Sequence, residues 1–147
     1  MKWKDEYTIG IEPIDEQHKA LFQVVGDFHA ILDKGKGEPT YGLLLGTLEA
    51  YTRCHFGMEE QCMLKYSCPV AEKNKNAHAT LIETLSGFQN RYSANGYDNA
   101  EASRLIDILE QWLADHICRI DMHLKKCVKK SETNALHPKI LDHNRLA

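Results

Sequence analysis

Leu44-Leu45-Gly46-Thr47-Leu48-Glu49-Ala50-Tyr51-Thr52-Arg53-Cys54-His55-Phe56-Gly57-Met58-Glu59-Glu60-Gln61-Cys62-Met63 (44–63) decides the fold. Leu44, Leu48, Tyr51, His55, Glu59 and Met63 recur at steps of three and four residues, the period of one face of an α-helix. His55 and Glu59 therefore sit among the apolar positions, an imidazole and a carboxylate one turn apart. An ionisable group on a buried stripe is costly unless it is paired or holds a metal.

The same anomaly appears on either side of this segment. Upstream, from Asp15 to Leu32, the stripe Leu21, Val25, Phe28 and Leu32 carries His18. Downstream, Asn74, His78, Leu81, Leu85, Phe88 and Tyr92 form a third stripe, with Asn74 and His78 four apart. The fourth runs Leu105, Leu109, Trp112, His116, Ile120 or Asp121, and Leu124, and fades at Lys129-Lys130. Asp33 to Pro39, Tyr66-Ser67-Cys68-Pro69 and Ser93-Ala94-Asn95-Gly96 break the pattern with turn residues, and Pro69 is placed to start a helix. Nothing alternates with period two over a useful length. The expectation is an all-α chain, an antiparallel up-down-up-down four-helix bundle with an irregular N-terminal arm from Met1 to about Glu16. Residues 1–130 make the bundle; 131–147, polar and without a sustained stripe, make a tail or linker.

Composition excludes several classes of function. The chain has 147 residues, enough for one domain with a sizeable core. A formal charge of -3 gives no basic face for nucleic acid and no polybasic membrane anchor. No apolar run approaches the roughly 20 residues that span a bilayer. The charged start Met1-Lys2-Trp3-Lys4-Asp5-Glu6 is unlike a signal peptide, which points to the cytoplasm. The 5 cysteines, Cys54, Cys62, Cys68, Cys118 and Cys127, are odd in number and lack CxxC spacing, so reduced thiols are expected.

His116 and Asp121 are the awkward pair. Five residues turn an ideal helix by about 140° relative to the starting face, which misaligns them. Both reach one site only if the helix is locally widened, or if the site spans two metals and each residue serves a different point. Two metals bridged by Glu59 and Asp121 account for the ligand count and for the spacing. Imidazole with carboxylate suits iron, manganese or zinc. No Glu-x-x-His is present, so a ferritin-type carboxylate site is not supported. His29 lies about 16 Å along the helix from His18 and reads as a satisfied core or boundary histidine. His123 is expected to face outward, and His137 and His143 fall in the tail.

Trp3, Gly10-Ile11, Ile14-Asp15-x-Gln17-His18, His55-Phe56-x-x-Glu59-Glu60 and Trp112-Leu113-x-x-His116-Ile117-x-x-x-Asp121 resemble the hemerythrins, the bacterial ones in particular. The resemblance spans roughly residues 3 to 128. It implies a non-haem diiron centre, oxo- or hydroxo-bridged, that binds dioxygen reversibly at one iron. His18 and His55 match the histidines of one iron, His78 and His116 two of the three on the other. Glu59 and Asp121 match the bridging carboxylates, while Trp112 and Leu113 match residues that wall the dioxygen pocket.

Asn74 departs from the pattern, which has histidine four residues before His78. An amide oxygen is a far weaker iron ligand than imidazole. The position is then a weak or lost ligand, and water, an anion or the Asn74 oxygen takes its place. No general acid or base is left over on the apolar stripes, so the domain itself is not expected to be an enzyme. Two classes remain: a dioxygen- or redox-sensing domain of a signalling protein, or a stand-alone bacteriohemerythrin for storage or transport. An open iron position that speeds oxidation harms a carrier and not a switch, and the polar tail suits a linker, so sensing is preferred. Expected partners are dioxygen or small anions, with a C-terminal output domain or a homodimer as protein partners.

Overall fold

The computed structural model describes residues 1–136, of which the helices take up most. They are α1 (Glu12–Asp33), α2 (Glu38–Lys65), α3 (Ala71–Asn95), α4 (Asn99–His116) and α5 (Met122–Leu136). A five-residue π-turn, Ile117–Asp121, joins α4 to α5 without leaving helical backbone, so the two form one rod. Four rods joined by short connections give the antiparallel bundle, with no strand among the described residues. The closest neighbours are α2 with α3 and α1 with α4.

The stripes read from the sequence become the core. Leu21, Val25 and Phe28 of α1 meet Leu44 and Leu48 of α2, Leu81, Leu85 and Phe88 of α3, and Leu105 and Leu109 of α4 in one cluster of buried side chains. Burying each such side chain stabilises the fold by about 1.5–3 kcal/mol. Asp98 caps α4, its Oδ1 accepting from the amides of Ala100 (2.8 Å) and Glu101 (3.0 Å). Gly96 closes α3 at φ 76, where a side chain would be strained.

The N-terminal arm is shorter than expected, because α1 begins at Glu12 and not near Glu16. Pro13 lies in its first turn, where the missing N–H is no loss. The buried Asp15 folds the arm back: its carboxylate accepts from the amides of Ile9 (2.9 Å) and Gly10 (3.0 Å). Trp3 then packs edge-on against Tyr7 and Phe22. At the other end α5 continues through Ser131 to Leu136, past the expected boundary at residue 130. The rest of the expected tail, including His137 and His143, lies outside the described residues.

The cysteine reading needs correction. Cys68 and Cys127 form a disulfide, and Cys54, Cys62 and Cys118 are free. The two partners are separated by 59 positions, so no local spacing announces them. Folding brings the α2–α3 turn against α5, and their Cα atoms stand 5.6 Å apart, within disulfide range.

Candidate metal centre

His18, His55, Glu59, Asn74, His78, His116 and Asp121 converge as buried side chains inside the bundle, none more than 6% exposed. α1 supplies His18, α2 supplies His55 and Glu59, and α3 supplies Asn74 and His78. His116 ends α4 and Asp121 ends the π-turn. The extra residue in that turn removes the misalignment of an ideal helix, so His116 Nε2 stands 3.1 Å from Asp121 Oδ1.

Each carboxylate faces two histidine groups. Glu59 turns Oε1 toward His18 Nε2 (3.1 Å) and His55 Nε2 (3.5 Å), and Oε2 toward His78 Nε2 (3.0 Å). Asp121 turns Oδ2 toward His18 (3.4 Å) and Oδ1 toward His116 (3.1 Å). His78 Nε2 and His116 Nε2 are 3.1 Å apart. Two clusters with metal-binding composition result: His18, His55 and Glu59, and Glu59, His78, His116 and Asp121. Bonds of about 2.1 Å at right angles put neighbouring donors about 3 Å apart, so these spacings are compatible with cations between the groups as well as with direct pairing.

The hydrogen bonding supports the same fit. His18 Nδ1, Glu59 Oε2, both Asp121 oxygens and both Asn74 amide atoms are buried with no hydrogen-bond partner. Some of these oxygens lie within ion-pair distance of a ring nitrogen, but without the alignment a hydrogen bond needs. Buried polar atoms are rarely left so, and two cations between the clusters would satisfy the carboxylates.

Charge across the cluster is uneven. Burial pushes His18 down, yet the nearby carboxylates of Asp121 and Glu59 outweigh it and raise the imidazole from 6.5 to about 9. Burial dominates at His55 and lowers it to about 4. Burial also acts on Glu59, but His18 and His78 hold its carboxyl well below the usual range.

Two partners behind the histidines carried no assigned role in the sequence. Gln17 Oε1 lies 2.7 Å from His55 Nδ1, and Glu60 Oε1 lies 3.0 Å from His78 Nδ1. Each follows from adjacency, since a neighbour of a site residue points about 100° round the helix and reaches the ring of the next helix. Such partners accept the Nδ1 proton, fix the tautomer and leave the Nε2 lone pair free for a metal. Phe56 stacks on His78 (3.7 Å between centroids, 4° between planes), and Trp112 stacks on His116 (4.1 Å, 11°). Trp112 also lines an outer groove with His116, whereas Leu113 is buried in the core. His29 sits apart, half exposed, with Glu110 at 3.0 Å, and His123 is exposed. Glu60→Gln keeps an acceptor but removes its charge. It is expected to weaken metal retention about tenfold, read by chelator competition; unchanged retention would reduce Glu60 to a surface acid.

The Hemerythrin HHE cation binding domain family matches residues 9–128, which include all of these side chains. The chain belongs to the hemerythrin family. Among its relatives, the bacteriohemerythrin of Pseudomonas aeruginosa (strain LESB58) is 28% identical over 137 residues, covering 93% of this chain and 87% of that one. That of Stenotrophomonas maltophilia (strain R551-3) is 28% identical over 115 residues, covering 78% and 72%. The myohemerythrin of Theromyzon tessulatum is 26% identical over 124 residues, covering 84% and 90%. The family supports a diiron, dioxygen-binding domain for this bundle, and none of these relatives carries an enzyme's name. No helix among the described residues of this hemerythrin is long and apolar enough to cross a membrane.

Proposed function

We propose that this hemerythrin holds two iron ions and works as a dioxygen- and redox-sensing domain. His18 and His55 hold one ion, His78 and His116 the other, and Glu59 and Asp121 span both; the division of the carboxylate oxygens between the two histidine groups carries this reading. Irons so held would supply reversible dioxygen binding and a change of redox state. Asn74, buried with both amide atoms unpartnered, offers at most a weak oxygen donor where the family has histidine. Trp112 and Leu113 are assigned to the wall of the dioxygen pocket. Metal analysis of protein made with ample iron is expected to return about two irons per chain, the count that two histidine groups and two shared carboxylates provide for. One iron, or zinc alone, would remove the bridged reading.

Sensing is preferred over storage because Asp121 is a ligand and also the last residue of the π-turn that leads into α5. A change of charge at the irons pulls on that residue, and the helix passes the shift along as a rigid element. Hydrogen exchange from Leu124 onward is expected to differ between the diferrous and diferric protein. Equal protection would favour the second reading, dioxygen storage or transport by this domain alone.

A further inference from the structure

Away from the metal cluster, a cavity of about 480 Å³ opens between the α2–α3 turn and α5, and none of the described residues lining it is acidic. His123, Lys126, Cys127 and Lys130 form one wall, spaced as a single stripe of α5, and Lys65 at the end of α2 stands on the other. No carboxylate among the described residues pairs with Lys65, Lys126 or Lys130. Like charges at helical spacing repel, and a helix end favours cations only in its last turn. Lys65 closes α2 and gains from that helix end, but α5 runs on to Leu136, so a helix end does not account for Lys126 or Lys130, nor does a chain of net charge -3.

The cavity is also held in shape. The Cys68–Cys127 disulfide ties the turn to α5 beside it. Ser67, on the same wall as Lys65, is the one non-glycine among the described residues with positive φ, at 50. It closes α2 through Ser67 N–H to Leu64 O (3.1 Å) and Cys68 N–H to Met63 O (2.9 Å), a position where glycine is usual. Serine accepts the backbone cost and gives the cavity a hydroxyl.

We propose that this cavity binds a small organic anion carrying two phosphoryl groups. Its volume falls in the range of small-molecule sites, about 300–1,000 Å³, and lysines serve as point-charge phosphate binders. Lysines on opposite walls suit a ligand charged at both ends. The proposal is independent of the reading given to the irons.

The test is calorimetric titration of the iron-loaded protein with fructose 1,6-bisphosphate at about 0.1 M salt, where diffuse attraction is screened beyond about 10 Å. One saturable site per chain with a sub-millimolar dissociation constant is expected. Lys126→Gln with Lys130→Gln should weaken it at least about tenfold at unchanged iron content and thermal midpoint, and Lys65→Gln should weaken it alone. Lys125→Gln, exposed on the same helix outside the cavity, should leave it unchanged. Three results would overturn the proposal: no saturation by about 10 mM, weaker than about 3 kcal/mol of binding; equal weakening by Lys125→Gln; or binding only to phosphatidylglycerol vesicles or single-stranded DNA.

Discussion

Asn74→His is expected to slow the oxidation of the reduced protein in air by about tenfold or more, and to raise iron retention by a similar factor. Altering even a residue that merely supports a ligand changes metal affinity by about 10–100-fold, so restoring a ligand should do no less. The substituted imidazole would stand one turn before His78 on the same face of α3, at a position 0% exposed in the native chain. Asn74→Leu separates the possible causes. It removes the unpartnered amide, whose burial costs about 1–3 kcal/mol, without adding a donor. The leucine variant should therefore gain stability when metal-free yet oxidise as fast as the native protein. Stopped-flow mixing with air-saturated buffer measures the rates. If the histidine variant oxidises as fast as the native chain, Asn74 does not set the redox behaviour.

Stripping the metal is expected to lower the thermal midpoint by about 10–15 °C, from about 4 kcal/mol of linkage at a ligand excess of a thousand dissociation constants. The size of the drop should depend on pH. His18 is raised to about 9, so the stability it lends the metal-free fold is complete below its unfolded value of 6.5 and is lost as pH rises through about 9. His55 is lowered to about 4, so the folded chain resists a proton that the unfolded chain accepts, and stability falls from pH 6.5 toward 4. These two groups together place the metal-free optimum near pH 6.5. Metal binding has to displace the His18 proton, so it strengthens over the window from 6.5 to 9. Calorimetric scans of loaded and stripped protein across that window should diverge as pH rises. Parallel curves would mean that His18 does not exchange a proton for metal.

The architecture was legible in the chain alone, since four apolar stripes at helical period separated by glycine and proline breaks allow little else. The sequence also singled out the buried polar groups, because His18, His55, Glu59, His78 and His116 stand where a buried stripe tolerates only paired or metal-held groups, whereas the stripe left the choice of Ile120 or Asp121 open. The start of α1 at Glu12 and the continuation of α5 beyond residue 130 were less legible, because proline reads as a breaker until it falls in a first turn, and polar residues extend a helix already nucleated. Three features were settled only by tertiary structure. The choice between a widened helix and separate points at His116 and Asp121 fell to the π-turn, which backbone periodicity leaves open. The roles of Gln17 and Glu60 depend on which ring the neighbouring helix brings within 3.0 Å. Cys68 and Cys127 are joined across 59 positions because the α2–α3 turn packs on α5, a proximity that no local pattern encodes.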